Sequence, residues 1–360
     1  MKEFFKRNWL ILTTGFVIGV IALALGALGN PGNMGFCVAC FLRDIAGSLG
    51  LHGSANVQYF RPEIVGILLG SMLAALAFRE FKGRGGSSPV LRFILGAFVM
   101  IGALMFLGCP LRMIIRLGSG DLNALLGLAG FFAGILAGVA FLKKGFNLKR
   151  AYTISCVEGT AFPVAMLVLF ILSVSGIFGV FLSSEEGPGS LHAFWVVSLV
   201  AGLVVGFLCQ RSRMCMAGGL RDVVLFRDCS LISGFIVLFL TVLVGSLILK
   251  GGAFSFAFSG QPVAHTDGLW NFLGMALVGW ASILLGGCPL RQLVLAGEGS
   301  SDSAIAVLGM IAGAAFCHNW GLASSADGPT ANGKVAVVAG FVVVALISII
   351  CTFAKKKGEI

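Results

Sequence analysis

The pentapeptide GCPLR occupies residues 108–112 and is repeated, letter for letter, at residues 287–291. Each copy places a cysteine between glycine and proline, with an arginine three positions after the cysteine. A second pair of matching segments, at the same spacing, makes chance a poor explanation for the repeat. The pair therefore predicts an internal duplication, and the composition around it indicates the class of fold.

The composition is that of a membrane protein. The chain is 58% hydrophobic and only 11% charged, whereas soluble domains carry roughly 25% charged residues. A bilayer core needs about 20 apolar residues per helix, and ten charge-poor runs meet or approach that length. We therefore predict an all-α polytopic membrane protein with about ten transmembrane helices. The runs are 8–34, 64–78, 93–111, 122–142, 159–184, 193–210, 229–250, 268–290, 303–317 and 335–354.

The basic residues predict the orientation of the spans. The net charge of +10 is concentrated in a few short loops, which is the pattern of cytoplasmic loops rather than of a nucleic-acid surface. The first apolar run is too long for a cleavable signal and is expected to remain as a helix. We predict a multi-pass protein of the inner (plasma) membrane with both termini in the cytoplasm. The basic segments lie at 2–7, 79–92, 143–150, 211–227 and 355–357.

A second pair of matching segments extends the duplication. CVACFLRD at 37–44 aligns with CMAGGLRD at 215–222, and the order and spacing of the two motifs are preserved. One unpaired span between the copies would invert the second copy, which gives an hourglass-like transporter architecture with interrupted helices. The predicted divisions are a first repeat (1–150), a connecting span (151–190), an inverted second repeat (191–325) and a final span with a basic cytoplasmic tail (326–360). Four re-entrant half-helices are expected near 30–50, 108–118, 209–222 and 287–298.

The GCPLR motif predicts the start of a short helix with a cysteine at its tip. Proline is favoured at the first helical position, and an exposed helix N-terminus attracts anions. The half-helix starts are predicted at Gly108, Pro110, Gly287 and Pro289. The thiols expected to line a substrate path are Cys109, Cys288, Cys37, Cys215 and Cys40. The supporting positive charges are Arg112, Arg291, Arg43 and Arg221.

Other readings of these residues are weaker or stay open. The pairs Arg43–Asp44 and Arg221–Asp222 are either buried functional charges or interfacial caps. A zinc or redox role for Cys37-x-x-Cys40 is disfavoured, because Gly218 takes the second cysteine's place in the other copy. The four histidines are scattered and are expected to be structural. The chain has no phosphate-binding loop, so we do not expect it to hydrolyse ATP. We also expect no metal, no cofactor and no catalytic residues.

The cysteine motifs resemble those of the YeeE/YedE family of sulfur-transport membrane proteins. GNMGFCVACFLRDIAG and the paired GCPLR segments carry the resemblance, which covers nearly the whole chain. The first half is most similar to the YedE branch, described as selenium transporters, whereas the YeeE branch takes up thiosulfate. The resemblance implies re-entrant loops and a cysteine relay at Cys109, Cys288 and either Cys37 or Cys40. Cys215 is an additional thiol and leaves the substrate open.

These features favour uptake of a small sulfur- or selenium-containing anion over two alternatives. A membrane thiol–disulfide oxidoreductase would need a shuttle pair of cysteines, but the predicted outer loops around 183–192 and 251–268 contain none. A non-transporting subunit would instead dock a cytoplasmic sulfur- or selenium-handling protein on the basic inner surface. The expected partners are thus the small anion, the lipid bilayer and, in one alternative, such a protein.

Overall fold

Ten helices cross the molecule in the part of the chain that the computed structural model describes, residues 2–177 and 179–353. Each lies in a segment that is long and apolar enough to span a membrane, and the segment of α3 begins already at Ala55. The prediction of an all-α polytopic membrane protein is thus confirmed. The bounds of the ten are α1 (Lys2–Ala27), α3 (Pro62–Ala77), α4 (Pro89–Phe106), α6 (Asn123–Lys143), α7 (Cys156–Ser175), α8 (Trp195–Ser212), α10 (Ser230–Lys250), α11 (Gly268–Leu285), α13 (Ser301–Asn319) and α14 (Ala331–Phe353).

Several helices end before the apolar runs that predicted them. Helix α1 stops at Ala27, although the apolar run continues to residue 34. The sequence Gly29–Asn30–Pro31 follows, and glycine at φ 120° together with proline cannot extend a helix. The fifth span likewise ends at Ser175 rather than near 184. The described apolar residues beyond these helix ends belong to loops, so hydropathy alone overestimates the helix length.

Four further helices, counted among the described residues, are too short to cross a bilayer. They are α2 (Val38–Ser48), α5 (Pro110–Gly118), α9 (Met216–Phe226) and α12 (Pro289–Gly297). At 1.5 Å per residue they extend about 14–17 Å, roughly half of the hydrocarbon core. A cysteine stands at the N-cap of each, and these are Cys37, Cys109, Cys215 and Cys288. Three of them lie within the segments predicted for half-helices, whereas α9 begins inside its segment, 209–222, and ends beyond it at Phe226.

Helices from the first half of the chain pack against helices from the second half, in matching pairs. Helix α4 packs on α13 as α11 packs on α6, and α3 packs on α8 as α10 packs on α1. Close approach relies on glycine: a Cβ at Gly134 would lie 1.9 Å from the carbonyl oxygen of Ala276 in the facing helix. Pairing of this kind is what a two-fold relation between repeats produces, and the division into repeats at the stated boundaries stays a prediction.

The loops gather into two groups at opposite ends of the helices. In the first group, Leu182 donates to the carbonyl of Ser48, and Leu122 donates to that of Ala257. In the second group, a two-stranded ribbon joins β1 (Arg84–Gly85) to β2 (Tyr152–Thr153). The second group contains the basic loops that were predicted to be cytoplasmic, and we call it the inner end. The basic segment 355–357 lies outside the described residues.

Candidate functional site

The first cysteine cluster forms where two short helices begin side by side. The thiol of Cys37 accepts hydrogen bonds from the backbone nitrogens of Cys40, at 3.3 Å, and of Cys109, at 3.5 Å. All three cysteines are buried. Since the N-termini of α2 and α5 both point at this sulfur, their partial positive charges add at one place. The predicted residues Cys37, Cys40 and Cys109 are thus brought together.

Arg112 places a full positive charge beside this cluster. Its side chain is completely buried, and its Nη1 lies 3.6 Å from the sulfur of Cys40. The remaining bonds go to the carbonyl oxygens of Asn33 (3.0 Å), Val263 (3.2 Å) and Leu107. No carboxylate of residues 2–177 or 179–353 forms an ion pair with it. A buried charge with only neutral partners is costly unless it has a counterion, so this position favours an anion.

The residues of the GCPLR motif have identifiable local structural roles. Pro110 occupies the first helical position of α5, as predicted. A Cβ at Gly108 would stand 3.1 Å from the Cδ of Arg112, so glycine lets the arginine fold back over the loop. Unlike Cys37, Cys109 makes no side-chain cap bond.

The second cluster repeats this arrangement at the tips of α9 and α12. The sulfur atoms of Cys215 and Cys288 are 3.9 Å apart, and the thiol of Cys215 accepts from the nitrogen of Gly218 at 3.3 Å. Pro289 begins α12, and a Cβ at Gly287 would lie 2.9 Å from the Cγ of Arg291. All ten cysteines lie in the described part of the chain, and each is a free thiol.

Arg291 differs from its counterpart in its electrostatic partner. It is slightly exposed and pairs with the carboxylate of Glu298 at 3.1 Å, whereas Arg112 has no acidic partner among the described residues. Glu298 was not among the predicted site residues. A signal was present: in the register of the repeat, the matching position of the first copy is the neutral Ser119.

The charges at Arg43 and Arg221 occupy different environments. Arg43 is buried and pairs with Asp44 at 2.6 Å, and Asp44 also pairs with the buried Arg61 at 2.7 Å. Arg221 pairs with its neighbour Asp222 at 2.8 Å and is about one-third exposed. The first pair is therefore a buried network and the second lies near the surface. Both arginines carry a carboxylate partner, which distinguishes them from Arg112.

Sequence reasoning missed two other buried features. Arg116 pairs with Asp121 at 2.7 Å, and both side chains are completely buried. A charged residue in so short an apolar helix was the available signal. The histidines are not all scattered as expected, because the rings of His52 and His318 stack at 4.6 Å. Nothing in the sequence places these two residues, which are far apart in the chain, next to each other.

The inner end carries a dense set of charged side chains. Glu80 pairs with Arg211 at 3.0 Å and with Arg213 at 2.8 Å, and it accepts a hydrogen bond from Gln210 at 2.7 Å. The bond from Gln210 and the nearby arginines lower the pKa of the Glu80 carboxyl below its usual value. This group therefore remains ionised at neutral pH.

A cavity of about 300 Å³ lies at the other end of the molecule and is linked to the first cluster through one wall residue, Asn33. Its wall includes Asn33, whose carbonyl accepts from Arg112. Lys250 also lines it and donates to the carbonyl of Ser119 at 3.1 Å. The cavity thus combines a lysine at its wall with a position next to the buried arginine.

The two clusters have the chemistry of sites for a soft anion. Thiols donate weak S–H hydrogen bonds, while guanidinium groups and helix N-termini supply positive potential. Among the described residues, no three His, Cys, Asp or Glu side chains converge in a way that could hold a metal ion. The groups present place weak S–H donors and positive potential side by side.

Comparison with known proteins agrees with this chemistry. A family model described as "Sulphur transport" matches residues 1–109 and 211–356, which is most of the chain. The thiosulfate transporter TsuA of Escherichia coli (strain K12) is 28% identical over 113 residues, and the aligned stretch covers 30% of this chain and 30% of that protein. The matched family is a transport family, and that relative is named a transporter rather than an enzyme. The chain belongs to the sulphur transport family.

Proposed function

We propose that this protein takes up a small anion containing sulfur or selenium across the inner membrane, with thiosulfate as the first substrate to test. The observation that carries the proposal is the buried Arg112, whose hydrogen-bond acceptors are neutral, beside the thiols of Cys40, Cys37 and Cys109. Family membership and the likeness to a thiosulfate transporter support the sulfur chemistry.

The proposed path begins at the cavity beside Lys250 and Asn33. The anion moves to the first cluster, where Arg112 provides charge and the thiols of Cys109, Cys37 and Cys40 contact its terminal sulfur. It then passes to Cys215 and Cys288 at the second cluster and leaves at the inner end. Weak binding at several successive sites allows an ion to leave as readily as it enters. A hard oxyanion such as sulfate has no terminal sulfur for thiol contact and is therefore expected to bind less well.

Uptake of labelled thiosulfate by the purified chain in liposomes tests this proposal. Cys109→Ala and Cys288→Ala are each expected to reduce the uptake rate at least tenfold. The matched control is Cys317→Ala, because Cys317 is also fully buried but lies in α13, away from both helix tips. Full uptake by both path variants would contradict the relay. Competition by selenite and by selenosulfate, compared with sulfate, tests the selenium part of the proposal.

The orientation of the chain is part of the proposal and is tested with native residues. Cys156 and Cys229 are exposed and begin helices at the proposed cytoplasmic side. A membrane-impermeant maleimide is expected to label them in inverted vesicles and to leave them unlabelled in intact cells. Labelling in intact cells would reverse the proposed topology.

The alternative function, a subunit that docks a cytoplasmic sulfur- or selenium-handling protein without transporting anything, is tested by the liposome assay. Transport by the chain alone in liposomes would count against it.

A further inference from the structure

Glu298 is held by arginines from three separate segments at the inner end. Its carboxylate lies 3.1 Å from Arg291, 3.3 Å from Arg213 and 3.3 Å from Arg84. The Glu298 side chain is only 4% exposed. Arg213 stands two residues before Cys215, and Arg291 three residues after Cys288. One carboxylate therefore connects the loop that carries one thiol of the second cluster to the helix that carries the other.

In the described part of the chain, the first cluster has no equivalent of this carboxylate. The position that matches Glu298 in the first copy is Ser119. The hydrogen bonds of Arg112 go to carbonyl oxygens and a thiol. Two arginines that are equivalent in sequence thus differ in charge balance: Arg112 has no carboxylate partner within residues 2–177 and 179–353, whereas Arg291 is paired with Glu298.

We propose that Glu298 is a resident ligand of Arg291 that the transported anion displaces when it reaches Cys288. This inference rests on the proposed function. The anion competes with the Glu298 carboxylate for the Arg291 guanidinium, so the second cluster holds it more weakly than the first. Arg84 and Arg213 keep Glu298 in place during the exchange. Once the carboxylate returns to Arg291, the anion is released toward the inner end.

The ligand class follows from the groups at this position. It is a small anion whose charged oxygens replace the carboxylate at Arg291 while a terminal sulfur or selenium contacts the thiols of Cys215 and Cys288. Glu298 acts through Arg291 and does not itself need to touch the anion. Its effect is therefore expected on affinity and release rather than on recognition of the soft atom.

The test compares Glu298→Gln with Glu80→Gln in thiosulfate uptake by proteoliposomes. Both changes remove one negative charge from the same end of the protein, but Glu80 pairs with Arg211 and Arg213 and not with Arg291. A charge-assisted hydrogen bond is worth enough to change affinity by about tenfold. Glu298→Gln is therefore expected to lower the half-saturating concentration about tenfold. Because tighter binding slows release, the maximal rate should fall by a similar factor.

The outcomes separate this inference from the proposed function. If the wild-type chain transports thiosulfate and Glu298→Gln has the same kinetic constants, the proposed role of Glu298 is overturned. It is also overturned if Glu80→Gln shows the same change in half-saturating concentration and maximal rate as Glu298→Gln. Absence of thiosulfate uptake by the wild-type chain overturns the proposed substrate instead. Glu298→Asp keeps the charge and is expected to restore most of the maximal rate. If Glu298→Gln does not fold, the double variant Glu298→Gln/Arg84→Gln takes its place. It removes Arg84, one of the arginines that lose their carboxylate partner, and is expected to show the same kinetic changes as Glu298→Gln.

Discussion

Replacing Arg112 by methionine should abolish tight anion binding without unfolding the protein. The arginine is completely buried, and its bonds go to neutral acceptors. A hydrogen bond to a charged group contributes about 1.5–3 kcal/mol, so loss of one such contact to the anion weakens binding roughly 10- to 150-fold. Removal of this buried charge, which has no carboxylate partner in the described part of the chain, relieves a desolvation cost. It also leaves three carbonyl oxygens without their donor, and because the two effects oppose each other, stability should change little.

Arg116 on the same helix provides the matched control for Arg112. It is equally buried but is paired with Asp121 at 2.7 Å. Arg116→Met leaves that carboxylate buried without its partner, which costs about 3–5 kcal/mol. The two variants should therefore separate, with binding lost in the first and folding impaired in the second.

Thiosulfate binding in detergent, measured by calorimetry, and the thermal midpoint together check this pair of variants. Arg112→Lys retains the charge but not the planar fork of donors and should show intermediate affinity. Wild-type affinity in Arg112→Met would refute the assignment of Arg112 as the anion's counterion. A large loss of thermal stability in Arg112→Met would show that the charge is instead structural.

Three further predictions concern packing and charge in the same fold. Gly134→Ala should destabilise the protein by about 1–3 kcal/mol, because the added methyl meets a carbonyl oxygen of α11; Gly252→Ala, with nothing within 4 Å, should be neutral by thermal unfolding. Asp44→Asn should lower the free energy of unfolding by about 3–5 kcal/mol, because it leaves two buried arginines without a carboxylate. Asp222→Asn, at a partly exposed pair, should lower it by less than about 1 kcal/mol. The pKa of the Glu80 carboxyl is lowered in the folded protein. Its contribution to stability is therefore present above the ordinary pKa of 4.5 and is lost as the pH falls through the lowered pKa. In Glu80→Gln, the thermal midpoint should accordingly fall less steeply at acid pH than in the wild-type protein.

The spans and the tips of the short helices were predictable because their causes are local. Charge-poor runs identify the helices, and proline after cysteine marks the start of α5 and α12. The exact helix ends were less predictable, as at Ala27, because apolar residues also fill the loops that follow.

The partners of the arginines were not predictable, because they come from distant segments. The carbonyl of Val263 reaches Arg112 across 151 positions of the chain, and Glu298 meets Arg84 across 214. The repeated GCPLR suggests that Arg112 and Arg291 are equivalent, yet the structure gives them different electrostatic surroundings. Only the contrast between Ser119 and Glu298 at matching positions hinted at this difference.

The most direct measurement is the position of a bound selenium atom. Selenosulfate carries selenium in place of the terminal sulfur of thiosulfate, and anomalous diffraction from a complex would locate that atom. We predict a selenium peak in contact with the sulfur of Cys109 or Cys288. The oxygens of the same bound anion are expected to point at the adjacent arginine. A well-occupied peak that touches none of the four N-cap cysteines, in a protein that transports the anion, would contradict a path lined by thiols.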